Sequence, residues 1–350
     1  MKTRSLLLSL FAVLFALGLA GCDLLGTNDD GPSTVTSGVY VANQGNFGDG
    51  NGSVSLYDPD SETATASAIG DLNSIVQSLA LQGDRLFLTA NTGGRLDVFD
   101  ATDQTQQDQL AAFNGPRYLT FPTDDSALLT DQSLSGSSSV HVLDVGSDSS
   151  SITASVDVPG TPEGITHTDE QVYAALGGFS DTTLVATFDA GAPSSAETID
   201  VGCAPRFVLA DQDNEVFAVC SDTSEVVVLD GATGEEQTRL DLPGTPSTAG
   251  PGQTAFFAPD AEELYVVVDQ ERLTRINTAS NSVDTTLGPL DGDPIGAVGY
   301  DAVRQELYVG RVPSFTESGT VTIHERDGTQ TGSFDAGIAP TYIDFRRTEE

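Results

Sequence analysis

Acidic residues outnumber basic residues by 52 to 14 in this 350-residue chain, which gives a formal net charge of −38. Such a charge argues against nucleic acid as a partner, because no basic patch is present to meet phosphate. The acids are spread along the whole chain between apolar segments, so they predict an acidic folded surface rather than an acidic tail.

The first 21 residues have the organisation of an export signal. Lys2 and Arg4 precede an apolar run from Leu6 to Leu19, which is shorter than the roughly 20 residues that a spanning helix needs. The run ends in Leu19-Ala20-Gly21-Cys22, which resembles the bacterial lipoprotein signal. That resemblance implies that Cys22 carries the lipid and that the protein is held in the cell envelope, in the outer membrane or at the cell surface. The alternative is an ordinary signal peptide in which the cysteine is incidental.

Residues Gly26 to Ser37 are rich in Gly, Ser, Thr, Asn and Asp and show no apolar pattern. We therefore predict a lipoprotein signal peptide over 1–21, a flexible tether over 22–37 and a folded domain over 38–350. Cleavage removes two basic residues and no acid, so the mature chain has 52 acids, 12 arginines (14 − 2) and a net charge of −40. This acidity, with no lysine left, resembles that of proteins from salt-loving organisms, where molar salt shortens the Debye length to about 3 Å. A cation-binding role is the second interpretation.

A repeat of 41 to 48 residues runs through the folded domain. Each unit opens with a short apolar strand centred on an aromatic residue or leucine, as in Val39-Tyr40-Val41 and Leu264-Tyr265-Val266. The seven central residues are Tyr40, Phe87, Leu128, Tyr173, Phe217, Tyr265 and Tyr308. A period of this length is typical of propellers and solenoids.

Each unit also contains three further strands. Alternating segments such as Ser53 to Asp58 and Val226 to Asp230 follow the first strand, a third strand comes after a turn, and a fourth follows a Gly/Pro loop, as at Pro116 or Pro205. Four strands per unit make one propeller blade, so we predict an all-β, seven-bladed β-propeller with four antiparallel strands per blade. The C-terminal strand from Pro340 is expected to join the N-terminal blade and to close the ring.

The repeat resembles a known family. Val39-Tyr40-Val41-Ala42-Asn43 and Leu264-Tyr265-Val266, each followed by an alternating strand that ends in Asp, are similar to the tyrosine-valine-threonine-asparagine (YVTN) propellers of surface-layer and periplasmic proteins. The segment Asn43 to Gly48, with Ser53 to Asp58 after it, looks more specifically like the first blade of surface lipoprotein propellers. Some members of that group capture cobalamin for an outer-membrane transporter, so the resemblance implies ligand capture at the cell surface.

One face of such a propeller carries the loops between the second and third strands and the connections into each innermost strand; we call it the loop face. Loops on a rigid scaffold are the usual place for function. Phe47, Phe179 and Phe315 lie in long loops of this face, where exposed rings would form an apolar shelf for a ligand. The alternative is that each ring packs against its own blade.

Arginine is the second signal on the loop face. Arg117 and Arg206 follow proline at the start of innermost strands, near the mouth of the central channel, and Arg95, Arg272 and Arg311 lie in neighbouring loops. Arginine suits planar recognition of carboxylate or phosphate. The alternative is ion pairing with nearby acids.

Cys203 and Cys220 remain after Cys22 is assigned to the lipid. A hairpin turn at Asp211 to Asn214 pairs Ala210 with Glu215 and brings Pro205 opposite Cys220. We therefore predict a disulfide between Cys203 and Cys220, which the export context permits. No CxxC metal or redox motif is present.

Catalysis has little support in the sequence. The three histidines fall at separate places in the predicted fold, and no G-x-S-x-G motif occurs. Some calcium-dependent propeller lactonases use a Glu, Asn and Asp set, and Glu163, Asn73 and Asp293 start innermost strands where they could do the same. We take a lactonase-like enzyme as an alternative.

We therefore expect a non-catalytic surface binder, without cofactor or bound metal, whose loop face receives a small-molecule nutrient or an envelope protein such as an outer-membrane transporter. It is expected to be monomeric and to touch the membrane only through its N-terminal lipid. A structural or adhesive repeat protein is the other alternative.

Overall fold

A computed structural model describes residues 33–133, 136–146, 149–178, 181–247, 252–258 and 262–349. The predicted signal peptide, Cys22 and Phe179 lie outside the described residues. Within the described ranges the chain forms 28 β-strands. No helix there is long and apolar enough to span a membrane.

The strands form seven four-stranded antiparallel sheets. The first three blades in chain order contain β1 (Thr34–Asn43), β2 (Ser53–Asp58) and β3 (Thr63–Ile69); β4 (Val76–Gln82), β5 (Arg85–Ala90), β6 (Arg95–Asp100) and β7 (Gln106–Leu110); and β8 (Pro116–Thr123), β9 (Ser126–Asp131), β10 (Ser138–Asp144) and β11 (Ser151–Val158). Blades four and five contain β12 (Ile165–His167), β13 (Gln171–Ala175), β14 (Leu184–Asp189) and β15 (Glu197–Asp200); and β16 (Pro205–Ala210), β17 (Glu215–Cys220), β18 (Glu225–Asp230) and β19 (Glu236–Asp241). Blades six and seven contain β20 (Ala255–Ala258), β21 (Glu263–Val268), β22 (Arg272–Asn277) and β23 (Ser282–Leu287); and β24 (Ile295–Asp301), β25 (Glu306–Arg311), β26 (Ser318–Glu325) and β27 (Gln330–Ile338).

The ring is closed by β28 (Pro340–Glu349), which is the innermost strand of blade one in a sheet of order β28-β1-β2-β3. Seven blades of four antiparallel strands and the predicted closure are thereby confirmed. The register of β1 with β28 begins at Thr34 opposite Glu349, so the fold starts four residues before the predicted boundary at residue 38. The reason is the length of β28: its last residues pair with residues that the polar composition had assigned to the tether.

The seven predicted central residues all lie in the second strand of a blade and are at most 2% exposed. Two of the tyrosines also tie neighbouring blades together. The Tyr40 hydroxyl donates to the carbonyl of Ala101 in blade two, and the Tyr173 hydroxyl donates to the carbonyl of Gly231 in blade five at 3.1 Å. A buried phenol needs such a partner, so the repeat position serves packing between blades.

The strand ends define two faces. On the loop face lie the connections between second and third strands, such as 44–52 and 312–317, together with the connections into the innermost strands. On the opposite side, which we call the turn face, lie the hairpins between innermost and second strands, such as 83–84 and 302–305.

The predicted disulfide is present between Cys203 and Cys220, whose Cα atoms are 5.7 Å apart. Its predicted register was wrong at one end of the hairpin, since Ala210 pairs with Val216 and not with Glu215. A β-bulge at Arg206 takes up the extra residue and restores Pro205 opposite Cys220.

Candidate functional site

In the described part of the chain, the innermost strands of five blades begin with a register shift against the second strand. Such a bulge leaves an extra residue out of the ladder and changes the direction of its side chain. Arg206 is the extra residue in blade five, and Arg117 and Gln77 lie within the corresponding bulges of blades three and two. Polar side chains from successive blades are thus directed toward one another around the channel.

Arg117, Glu163 and Gln77 form what we call the channel-mouth cluster, and Arg206 has the equivalent position in blade five. The Arg117 guanidinium donates to Glu163 through Nε at 3.1 Å and through one terminal nitrogen to both carboxylate oxygens at 2.7 Å. Its other terminal nitrogen donates to Gln77 Oε1 at 2.6 Å. The three side chains come from blades two, three and four, so this charge-assisted network connects three blades at the channel.

The cluster is buried beneath the loop face. Arg117 is 4% exposed, Arg206 is 2% exposed and Glu163 is fully buried. Gly178 in the loop above leaves the space that Glu163 fills, since a Cβ there would come within 1.9 Å of the Glu163 Cγ. The two arginines therefore contact the protein interior, and for Arg117 the structure shows the ion pair that was the alternative to ligand binding.

Aromatic rings close the channel below the cluster. The Tyr118 ring centroid lies 5.5 Å from that of Phe207 and 6.4 Å from that of Tyr342. Burial raises the pKa of both tyrosines, so neither phenol ionises near neutral pH. The three rings lie on the innermost strands β8, β16 and β28.

The loop face has a cleft of about 390 Å³ between blades one and seven, which we call the rim cleft. Its walls include residues 49–53 from the loop that carries Phe47, and Ser318, which follows the loop that carries Phe315. Phe47 is 69% exposed and Phe315 is 44% exposed, and they are the two exposed aromatic side chains among the described residues. Two of the three predicted rings are therefore exposed on loops next to the lining of one cleft; the third, Phe179, lies outside the described residues.

The loop that carries Phe47 is held by its own asparagines. The amide of Asn46 donates to Asn51 Oδ1 at 2.6 Å, and the amide of Gly48 donates to Asn46 Oδ1 at 2.8 Å. Gly45 has a φ of +79°, and a Cβ there would meet the backbone of Gly52 at 2.5 Å. The exposed ring is thus presented on a loop with a fixed conformation.

The other predicted arginines differ in their surroundings. Arg95 donates through Nε to both oxygens of Asp97 at 2.9 and 3.0 Å and lines a second cleft of about 340 Å³, which shares residues 70, 71 and 73 with the rim cleft. Arg272 pairs with Asp269. Arg311 is 2% exposed and donates to Thr322 Oγ1 at 3.3 Å, and burial lowers its pKa. Of these three, Arg95 adjoins the rim cleft.

The Glu, Asn and Asp set proposed for a lactonase does not fit a single metal ion here. Both oxygens of Glu163 accept from Arg117, while Asn73 lines the rim cleft and the Asp293 carbonyl accepts from Arg311. Nor does any group of three or more His, Cys, Asp or Glu side chains converge among the residues that the structure describes.

Two groupings were missed by sequence reasoning. In blade three, His141 Nδ1 lies 2.8 Å from Ser155 Oγ and Nε2 lies 3.3 Å from Asp131 Oδ2. Burial alone would raise the pKa of Asp131, but hydrogen bonds from His141 and the amides of Asn114 and Gly115 hold it below its ordinary value.

On the turn face, Asp344 lies in an aromatic-lined cavity of the channel. Its signal in the sequence was a lone acid inside the apolar strand Tyr342-Ile343-Asp344-Phe345.

These features define a seven-bladed β-propeller with a buried polar cluster at its innermost strands and a polar cleft on its rim, next to two loops with exposed phenylalanines. The chain belongs to the family described as "Domain of unknown function (DUF5074)", whose model matches residues 37–331. Among functionally curated proteins, no sequence matches significantly.

Solved structures show the same fold at low identity. The periplasmic gluconolactonase PpgL of Pseudomonas aeruginosa is 16% identical with a TM-score of 0.67, and the match covers 88% of this chain and 99% of that one. A chain of a crystal structure of the mitotic checkpoint complex is 14% identical with a TM-score of 0.62, over 86% of this chain and 96% of that one. At these identities the likeness concerns the fold alone.

Proposed function

We propose that this protein is a non-catalytic binding propeller of the cell envelope that takes a ligand in the rim cleft, between the loops of Phe47 and Phe315. The observation that carries the proposal is the exposure of these two rings, 69% and 44%, on neighbouring loops that border one cleft. Burying a phenylalanine side chain contributes about 1.5–3 kcal/mol. Each exposed ring can therefore contribute this free energy to binding when a partner buries it.

The size and chemistry of the rim cleft favour a small molecule over a flat protein contact. Its volume of about 390 Å³ falls in the range of ligand pockets, roughly 300–1,000 Å³. The carboxylates of Asp49 and Asp71 line the cleft and supply acceptors. A ligand with an apolar body and N–H donors at its edge matches this surface.

The sharpest version of the proposal is a cobalamin-like nutrient, whose macrocycle is apolar on its faces and carries amide donors at its edge. The resemblance of the first blade and of the Leu19-Ala20-Gly21-Cys22 segment to surface lipoproteins of that kind supports this choice. In this version Cys22 anchors the protein through its lipid and the loop face delivers the ligand to an outer-membrane transporter.

Cobalamin binding by residues 23–350 in molar salt tests the proposal, with visible absorbance followed through gel filtration. We expect co-elution with the protein, and loss of co-elution when Phe47 and Phe315 are both changed to alanine. Val303→Ala is the matched control, because Val303 is 39% exposed and lies in a turn-face hairpin.

Failure of the folded protein to retain cobalamin would remove that nutrient from consideration. Retention that is indifferent to the two phenylalanines would move the site away from the rim cleft. If the double variant instead loses attachment to cells or to envelope fractions, the structural or adhesive alternative is supported.

The lactonase alternative draws on the shared fold with the P. aeruginosa gluconolactonase. The engagement of Glu163 by Arg117 leaves that alternative without a converging metal-ligand set among the described residues. Hydrolysis of gluconolactone with and without added Ca²⁺ is the direct assay, and calcium-dependent turnover abolished by Glu163→Gln would reinstate an enzyme.

A further inference from the structure

A second cavity, of about 240 Å³, opens into the channel from the turn face. It lies among the innermost strands of blades six, seven and one, and it shares no lining residue with the channel-mouth cluster. The side chains that matter for its chemistry are Gln253, Phe256, Phe257, Tyr300, Asp344 and Arg347. Aromatic walls with few convergent polar groups are the usual composition of a small-molecule site.

The aromatic walls are fixed by packing. Phe256 stacks on Tyr265 with ring centroids 5.0 Å apart and an interplanar angle of 6°, and Tyr265 lies 6.5 Å from Tyr300. Phe345 already has a cation beside it, since the Arg347 guanidinium carbon lies 5.9 Å from the ring centroid. The electron-rich ring faces of this cavity are therefore suited to positive charge.

Asp344 and Gln253 supply acceptors to the cavity, which the Arg347 side chain also lines. Asp344 accepts the amide of Leu81 at 2.9 Å on one oxygen and the amide of Phe345 at 2.8 Å on the other. Each carboxylate oxygen has two acceptor positions, so one remains on each. Burial raises the pKa of Asp344, although the two amide hydrogen bonds oppose the shift.

The second acceptor is Gln253, whose Oε1 atom is buried and has no hydrogen-bond partner among the described residues. Its backbone is anchored on both sides, because its amide donates to the Thr341 carbonyl at 2.7 Å and its carbonyl accepts the amide of Val298 at 3.0 Å. A buried acceptor left without a donor destabilises the free protein, and a ligand that supplies the donor removes that cost.

We propose that this turn-face cavity binds a protonated primary amine that carries an apolar body of about one ring. The ammonium group donates to Asp344 and Gln253 while the body packs against Phe256, Phe257 and Tyr300. A cavity of about 150 Å³ holds benzene, so 240 Å³ has room for a ring with a short aminoalkyl chain. The net charge of −38 raises the local concentration of cations and opposes anionic ligands.

Titration calorimetry with phenethylamine tests this proposal, using residues 23–350 in molar salt so that long-range attraction is screened to about 3 Å. We expect one phenethylammonium bound per chain. We expect 2-phenylethanol, which is similar in shape but uncharged, to bind at least tenfold more weakly. Equal binding of amine and alcohol would overturn the proposal.

Three variants locate the site. Asp344→Asn keeps the shape of the side chain and is expected to weaken phenethylamine binding at least tenfold. Gln253→Leu and Phe257→Leu are expected to weaken it several-fold, and they decide the question if Asp344→Asn fails to fold. Asp84→Asn is the matched control: it removes one carboxylate from a turn-face hairpin, where Asp84 pairs with Arg346, and binding should not change. Unchanged binding in the cavity variants would overturn the assignment.

This inference is independent of the proposed function. The rim cleft and the turn-face cavity have no lining residue in common. Loss of cobalamin binding in the Phe47 and Phe315 variants should therefore leave phenethylamine binding intact.

Discussion

Arg117 and Glu163 meet in the interior with full burial of the carboxylate and three short contacts between them. Removing one partner of such a pair leaves an uncompensated buried charge, which costs about 3–5 kcal/mol. Replacing both partners with apolar side chains of similar volume is often neutral. The pair therefore offers a clear test of what holds blades three and four together.

We expect Glu163→Gln to lower the free energy of unfolding by about 3–5 kcal/mol, measured by urea denaturation in molar salt. The double variant Arg117→Met, Glu163→Leu should regain most of that loss, because no charge is then left buried. A Glu163→Gln protein as stable as the parent would show that water or another group reaches the Arg117 guanidinium.

For single residues, the sequence predicted the position in the fold better than it predicted burial and contacts. Phe47 and Phe315 were assigned to loops and are exposed there, because their Gly/Asn-rich and Ser-rich segments contain no strand pattern. Arg117 and Arg206 were placed correctly at the channel, yet both are buried. The bulges that direct them inward arise from pairing between strands, which local sequence does not encode.

Among the elements, the connection into β16 is the one held covalently. The bond between Cys203 and Cys220 ties this connection to β17, and the two residues are 17 positions apart. A disulfide that closes a loop of about 15 residues contributes roughly 3 kcal/mol, mainly by restricting the unfolded chain. Both cysteines are fully buried in the packing of blade five.

We expect the double variant Cys203→Ala, Cys220→Ala to lose about 2–4 kcal/mol of unfolding free energy without a change in fold. Urea denaturation of the oxidised parent, the reduced parent and the variant is the measurement. Reduction of the parent should produce nearly the same loss as the variant. No loss on reduction would mean that the unfolded chain is not restricted by this bond.

The strands themselves were the most predictable elements. Seven repeats and alternating hydrophobicity sufficed for the blade count and for the closing strand. The exact start of β1 was missed because residues 34–37 carry a polar composition. They are ordered by the last residues of β28, and the buried Thr36 hydroxyl donates to Asp301 at 2.8 Å. The pairing of β1 with β28, over 300 residues apart in the sequence, cannot be predicted from local sequence.

Closure of the whole ring depends on β28, which pairs with β1. Without β28, β1 would present an unpaired edge, and the innermost strands of blades two and seven would lose their contacts with β28. An open edge of this kind invites pairing with other chains. Because Thr34 pairs with Glu349, a short linker could join residue 349 to residue 34.

We expect deletion of residues 340–350 to abolish cooperative unfolding and to produce aggregates in gel filtration. A circular permutant is the matched control: it links residue 349 to residue 34 and opens the chain at the 83–84 hairpin. It keeps every strand, so it should remain monomeric and unfold near the parent midpoint. A stable monomer after the deletion would contradict a closing role for β28.

The order of the strands along the chain adds a consequence for maturation. A polypeptide delivered with its N-terminus first has nearly the whole propeller in place before its final ten-residue strand arrives. Contacts between residues this far apart form late and slowly. A copy that lacks β28 therefore cannot close the ring, and it remains susceptible to proteases. Only copies that have been synthesised through β28 can close the ring and resist proteolysis.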